Sequence, residues 1–263
     1  WDDHLINIIV EPHALYTCSP ALLRDARIIA DEYDLMMGIH LLENKAERDQ
    51  LEVKLKKSPV AFLDDIGYLN EKLLAFHCVC LSSEDLKLFA RHGCKVSHNP
   101  ASNMKLASGI APVPDMLDAG ITVALGTDGC ASNNTLDMIR DMSTAARLHK
   151  VARLDPTVMD ARTVLRMATI QGATALNLDH VTGSLEIGKK ADIIILNLGK
   201  PHLTPIYSAY SHLVYAAGGA DVDTVIINGS VVMENRRLQT IFELDVMNEV
   251  RKIACKIKKS MNM

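Results

Sequence analysis

Aromatic residues are scarce in this sequence: Phe, Tyr and Trp make up 4 % of its 263 residues, with a single tryptophan. No basic stripe with interleaved aromatics occurs, so the stacking platforms and charged tracks that hold nucleic acid are not expected. Charge of either sign is not in excess, with 28 Lys and Arg against 32 Asp and Glu and a net charge of −4. Only the tail "RKIACKIKKS" is locally basic, and at helical spacing it reads as the wet face of an amphipathic end helix and not as a membrane anchor. The six cysteines (Cys18, Cys78, Cys80, Cys94, Cys130, Cys255) lack Cys-x-x-Cys pairs, which argues against a zinc ribbon and against a dense disulfide framework. They read as free thiols in a reducing cytosol. No run of about 18 apolar residues is present, and no signal peptide is expected at the start. A soluble, cytoplasmic protein with no membrane partner is the expectation, and the first residue, Trp1 in place of Met, points to a true N-terminus elsewhere.

What the sequence does have is core-forming material, with 48 % hydrophobic residues in a chain long enough for one large domain or a domain with a small appendage. Five short β-rich runs each end in a polar residue: "INIIVEPH" at His13, "LMMGIH" at His40, "LLAFH" at His77, "KVSHNP" around His98 and "ITVALGTD" at Asp128. These markers recur about 20 to 40 positions apart, the length of a strand, a crossover helix and two connections. The reading is a series of βα units.

The intervening segments predict helices. "SPALLRDARIIADEY" opens with Ser19 as N-cap and Pro20 at the first helical position, and "SSEDLKLFARHG" places Ser82 three residues before Asp85 and stops at Gly93. "SPVAFLDDIGYL" predicts a further short helix. Beyond Asp128, Leu136, Ile139, Met142 and Ala146 recur at helical intervals, and "TVMDARTVLRMATIQGATALNL" continues the pattern, so both stretches are expected as outer-layer helices. From about residue 183 the character changes to strand and turn sequence, with Asn228-Gly229 as a hairpin signal. The expected organisation is a catalytic β/α region over 1–182, a small β appendage over 183–240 and a closing helix within 241–263.

In a parallel β/α barrel the side chains at the carboxyl ends of the strands meet at one mouth, so these distant polar residues become neighbours. In "GIHLLENK", His40 could hold a metal and Glu43 could move protons, while Asp128 could be a further ligand or a base. Taken singly, a strand-end histidine is an ordinary hydrogen-bonded residue and an aspartate before glycine a common turn former. Their convergence gives them weight. His98 is read as an anchor of the Asn99–Pro100 turn rather than a ligand. His4, His92, His149, His180, His202 and His212 are read as surface or structural, and Met104 and the other methionines as core filler.

Together, "HLLEN", "FHCVCLSSEDLKLFARHG", "VSHNPASNMKLASGIAPVPDML" and "ALGTDGCASNN" resemble the metal-dependent amidohydrolases, and among them the 5'-methylthioadenosine/S-adenosylhomocysteine deaminases and their chlorohydrolase-like relatives. The likeness runs over nearly the whole chain, with "GSLEIGKKADIII" similar to the segment that returns to a β-sandwich. The resemblance implies an α/β fold: part of a metal-dependent TIM (β/α)8 barrel, strands four to eight with their helices, plus the C-terminal part of a small β-sandwich. It implies one divalent metal ion, most often zinc, bound by His40 and Asp128. Glu43, His77 and Asp128 match the catalytic residues, and His13, Glu43 and Ser132 match residues that contact the substrate. The implied reaction is hydrolytic deamination of an adenine nucleoside, with Asp128 accepting the water proton, Glu43 protonating the ring nitrogen and His77 steadying the developing charge.

Members of that family carry a His-x-His pair at the first barrel strand, and this sequence has none. The chain is therefore expected to start before the fourth strand. It is either part of a longer enzyme, the reading taken, or a chain that completes its barrel with another copy, and open sheet edges would favour a homo-oligomer. Two other functions stay open: hydrolysis of another heteroaromatic amine or halide (guanine, cytosine, an s-triazine, aminodeoxyfutalosine), and an inactive structural subunit.

Overall fold

Five strands lie side by side in chain order, all parallel: β1 (Ile9–Val10), β2 (Met36–Leu41), β3 (Leu73–His77), β4 (Lys95–His98) and β5 (Val123–Leu125). The structure, a computed structural model, describes residues 5–261, so Trp1 and His4 lie outside the described residues. Each strand falls on one of the runs that end in a polar residue, and each crossover is helical, as parallel neighbours require.

The helices start and stop where local chemistry directs. The hydroxyl of Ser19 accepts the Leu22 amide at 3.2 Å to open α1 (Pro20–Glu32), with Pro20 in the first turn. Asn44 caps α2 (Lys45–Leu55), and Ser58 caps α3 (Pro59–Asp65). Ser82 and Asp85 form a reciprocal capping box at the head of α4 (Ser83–His92), which ends at Gly93 in the left-handed conformation, φ 66°. Two short helices, α5 (Pro100–Lys105) and α6 (Val113–Asp118), fill the connection from β4 to β5. After β5 come α7 (Cys130–Asn133), α8 (Met138–Arg153), α9 (Ala161–Met167) and α10 (Ile170–Ala175).

Alternate residues of the strands face opposite ways, as the two-residue period demands. Met37, Ile39, Leu41, Leu73, Ala75, Val96 and Val123 join Leu23, Leu51, Leu63, Phe89 and Met116 in one core between sheet and helices. Each Val, Leu, Ile, Phe or Met among them, fully buried, stabilises the fold by about 1.5–3 kcal/mol before chain entropy is counted. On the other face, Leu74 and Ala124 pack with Ala175 of α10, flanked by half-buried Met36 and Phe76.

Two expectations about the later helices need correction. Leu136 is not part of a helical stripe: it precedes the Asp137 cap of α8 and is 67 % exposed, whereas Ile139, Met142 and Ala146 are buried as expected. The "TVMDARTVLRMATIQGATALNL" stretch breaks at Thr169 into α9 and α10, and α10 turns onto the sheet face opposite the main helices. Its small residues, among them Ala173 and Ala175, permit that close approach.

The remaining strands form a separate antiparallel sheet in the order β6 (Ile193–Leu196), β7 (Val222–Ile227), β8 (Ser230–Glu234) and β9 (Arg237–Leu238). Asn228 and Gly229, φ 48° and 80°, make the tight β7–β8 turn, which needs two left-handed residues. Val222 enters the main core, and Leu196, Val225 and Met233 pack against it. Between β6 and β7 lies α11 (Ala209–Tyr215), whose Val214 is buried in the same core. The closing helix α12 (Glu243–Ser260) buries none of its residues. Among the described residues no helix is long and apolar enough to cross a membrane.

Candidate active site

The site is assembled at the carboxyl ends of β1 to β5. His40, near the end of β2, shares a face with Met36, and its ring lies 5.2 Å from that of Phe76. Its Nδ1 is 2.9 Å from the His13 carbonyl oxygen, which also accepts the His40 backbone N–H at 3.0 Å. A carbonyl can only accept, so in the neutral ring the proton sits on Nδ1 and the lone pair on Nε2. The exposed ring of His13 sits 5.0 Å from that of His40, with its Nδ1 2.8 Å from Thr17 Oγ1.

Glu43 follows on a loop whose Leu42 has φ 50°. That loop is gripped from α2: the two carboxylate oxygens of buried Glu47 accept the Leu42 and Glu43 amides at 2.9 and 2.8 Å. Burial pushes the Glu47 carboxyl above its ordinary pKa, and these backbone hydrogen bonds offset part of the shift. The Glu43 side chain is half-buried, and its Oε1 accepts a hydrogen bond from Ser108 Oγ at 3.1 Å.

His77 ends β3 with a left-handed backbone, φ 68°, and Cys78 follows at 50°. Its Nε2 is 4.0 Å from Glu43 Oε2, its Nδ1 is 2.9 Å from Asn103 Oδ1, and its ring stacks 5.6 Å from that of His40. Asp128 lies three residues past β5, again left-handed at φ 60°. Ser102 Oγ and the Gly129 N–H each donate to its carboxylate at 2.6 Å. Burial raises the Asp128 pKa, but the two hydrogen bonds and the nearby His77 and His40 outweigh it and hold the group below the usual carboxylate range. Asp128 is therefore ionised at neutral pH. Ser132 is half-buried on α7, four residues on, with its amide bonded to the Gly129 carbonyl at 3.0 Å.

The structure thus brings His40, Glu43, His77 and Asp128 together, with His13 and Ser132 at the margin. His98 is elsewhere. It shares the helix-facing side of its strand with Val96, is completely buried, and meets His149 of α8 with 3.0 Å between the two Nε2 atoms. The histidine of the Asn99–Pro100 turn therefore secures a helix with its ring, not the turn, and His149 is a core residue. Met104 is not core filler either, being 54 % exposed, although Met37, Met116 and Met167 are fully buried.

Sequence reasoning missed the residues that brace the site. Ser102, Asn103 and Ser108 hold Asp128, His77 and Glu43 in turn, and Lys105 Nζ donates to the Ala131 carbonyl at 2.7 Å, steadying the loop between Asp128 and Ser132. All four lie within the stretch "SNMKLAS". The stretch lies within a segment that carries the family resemblance, but no local signal assigns these side chains their partners.

Known proteins resemble this chain in sequence and in fold. The sequence profile of the amidohydrolase family matches residues 2–232. The chain belongs to the amidohydrolase family. One relative, the 5-methylthioadenosine/S-adenosylhomocysteine deaminase 1 of Syntrophus aciditrophicus, is 55 % identical over 259 residues, covering 98 % of this chain and 58 % of that protein. A 5'-deoxyadenosine deaminase of Methanosarcina mazei is 47 % identical, over 95 % of this chain and 57 % of its own length. Among solved structures, an adenosine deaminase from Xanthomonas campestris with bound zinc superposes with a TM-score of 0.96 at 37 % identity, covering 98 % of this chain and 59 % of that one. An atrazine chlorohydrolase from Arthrobacter aurescens complexed with zinc gives 0.86 at 27 % identity, over 92 % and 53 %. The chain spans a little under three-fifths of the two relatives' lengths. As an amidohydrolase it presents the second part of a β/α barrel, followed by antiparallel strands. Among the described residues no three His, Cys, Asp or Glu side chains are arranged to hold a metal ion.

Proposed function

We propose that this chain serves the hydrolytic deamination of an adenine nucleoside, S-adenosylhomocysteine or 5'-methylthioadenosine, in which water replaces the amine at C6 and ammonia leaves. The observation that carries the reading is the meeting of Glu43, His77 and Asp128 around His40 at the strand ends.

The donors suit a zinc ion in kind: His40 offers Nε2 because its Nδ1 is committed to the His13 carbonyl, and Asp128 offers an ionised carboxylate. They are fewer than a catalytic zinc site ordinarily takes from its protein. His40 and Asp128 would hold one divalent ion, which when bound supplies an acidified water. Asp128 takes the proton of the attacking water, as its lowered pKa suits a base that is always ionised. Glu43, steadied by Ser108, delivers a proton to the purine ring nitrogen and then carries the proton that the added hydroxyl loses to the departing amine. His77, with Nε2 turned toward Glu43, contacts the attacking water and accepts a hydrogen bond from it. Ser132 contacts the purine, and His13 is a further substrate contact.

The test is ammonia release from both nucleosides by the zinc-supplemented chain, beside its Asp128→Ala variant. Turnover that falls about 10²–10⁴-fold in the variant is expected, and absence of ammonia from every adenine nucleoside defeats the proposal. A second reading, hydrolysis of an s-triazine or another heteroaromatic amine or halide, is favoured by the likeness to the zinc-bound atrazine chlorohydrolase. Specificity resides in loops, and the same assay with those substrates separates the two.

A further inference from the structure

We propose that Asn103 is a positioning residue that fixes the His77 ring in the tautomer with its proton on Nδ1, leaving Nε2 as the lone-pair nitrogen turned toward Glu43. The inference rests on the deaminase reading for its purpose but not for its geometry. Asn103 is completely buried, and its Oδ1 lies 2.9 Å from His77 Nδ1. An amide oxygen accepts and never donates, so the proton of a neutral ring in this pair belongs to Nδ1.

Three features single this contact out from ordinary packing. First, the amide cannot drift: the Asn103 backbone is pinned on both sides, its N–H on the Asn99 carbonyl at 3.0 Å and its carbonyl on the Ser108 N–H at 2.9 Å. Second, Asn103 Nδ2 is buried without a hydrogen-bond partner. An apolar side chain would fill the same space without leaving a buried donor unmatched, so the oxygen at this place answers a need other than packing. Third, the site solves the same problem twice. His40, whose ring stacks on His77, also has Nδ1 against a carbonyl oxygen, that of His13, at 2.9 Å. Both rings thus present Nε2 outward, one through a backbone carbonyl and the other through a side-chain amide. Fixing the orientation and tautomer of a functional imidazole through the far nitrogen is the ordinary task of such an outer partner.

The test reads the ring proton directly. The full chain, labelled with ¹⁵N-histidine and studied without added metal, gives two-bond ¹H–¹⁵N correlations in which the protonated and lone-pair nitrogens separate, with His77 assigned from its loss in His77→Gln. Wild type is expected to show His77 with Nδ1 protonated. Asn103→Leu should shift the tautomer ratio about five- to tenfold toward the Nε2–H form, the size one hydrogen bond supplies. Asn103→Asp, which keeps an acceptor, should retain the wild-type pattern, and His40 should stay unchanged in both. Where nucleoside turnover is present, Asn103→Leu should lower kcat about 10- to 100-fold with little change in KM, and Asn103→Asp should recover part of it. A wild-type His77 protonated on Nε2 overturns the proposal without any variant. An unaltered tautomer in Asn103→Leu, or in Asn103→Ser should the leucine variant not fold, overturns it as well. If the chain deaminates no nucleoside but the tautomers behave as described, the deaminase reading fails and the role of Asn103 stands.

Discussion

Replacing Asp85 by alanine should remove a large part of the stability of this protein, because one carboxylate ties together three helices. Its side chain is 1 % exposed and accepts hydrogen bonds from the Ser82 N–H and hydroxyl at 2.8 Å each, from the hydroxyl of Ser58, the cap of α3, and from Arg48 Nη1 of α2 at 2.9 Å. Losing the cap costs about 1 kcal/mol. Breaking a buried ion pair by deleting one partner costs about 3–5 kcal/mol, but Arg48 is 19 % exposed and keeps Glu52 and the Cys80 carbonyl as acceptors, which reduces the penalty. About 3–4 kcal/mol is the expected total, against about 5–15 kcal/mol for a whole domain. Asp85→Asn keeps an acceptor oxygen and should lose about half as much. Urea unfolding followed by circular dichroism should report these losses as lowered midpoints with an unchanged slope.

The same residue predicts a pH dependence. Burial raises the Asp85 pKa, but hydrogen bonds from Ser58, Ser82 and Arg48 outweigh it and hold the carboxyl below its usual range. A group depressed in the folded state stabilises it above the unfolded pKa, about 3.9, and that stability disappears as pH falls through the folded value. The gap between wild type and Asp85→Ala should therefore be full at neutral pH and close in strong acid. A loss below about 1 kcal/mol at neutral pH, the size of the cap alone, would refute the reasoning.

Three further outcomes are expected. Gly126→Ala would place a Cβ 2.6 Å from Asn99 Oδ1 and 2.7 Å from Ser97 Oγ, so thermal unfolding should show a loss of about 1–3 kcal/mol as the loop toward Asp128 is displaced; an unchanged Tm would contradict the packing argument. Burial, then His149 and His77, hold His98 well below its usual pKa, while burial and then Arg153 push His149 down to about 4. The unfolded chain binds these protons first, so wild type should lose stability as pH falls from about 6.5 toward 4, and the double variant His98→Leu/His149→Leu should decline less over that window in denaturant titrations. Zinc measured by elemental mass spectrometry on the chain purified without added metal should be well below one ion per molecule, since only His40 and Asp128 are proposed as ligands; a stoichiometric ion would show that another donor takes part.

Local features of the fold could be read from the chain because their chemistry is local. The caps at Ser19 and Ser82, the stop at Gly93 and the Asn228–Gly229 turn each depend on residues within a few positions. The markers at His40 and His77 could be read because a parallel strand buried on both faces is a short apolar run, and the polar residue that ends it lies at the mouth. The bracing layer could not. Ser102 reaches Asp128 and Asn103 reaches His77 across 26 positions, and Ser108 reaches Glu43 across 65. No periodicity encodes such pairings.

His77 and His98 show where a reading by strand alternation stops. On β3, Leu73 and Ala75 face the helices, so the two-residue period assigns His77 to that side; on β4, Val96 does the same for His98. His98 obeys and meets His149 in the core. His77 does not, because its backbone turns left-handed at φ 68° and Cys78 follows at 50°, and the ring meets His40 and Glu43 instead. A non-glycine residue in that region is strained by about 1–3 kcal/mol, and nothing in the apolar pattern of "LLAFH" announces it. Asp128 and Leu42 carry the same left-handed signature, at φ 60° and 50°. At β3, then, strain in the backbone redirects a side chain that a regular strand would have sent into the core, whereas His40 reaches the site by ordinary alternation on the face it shares with Met36.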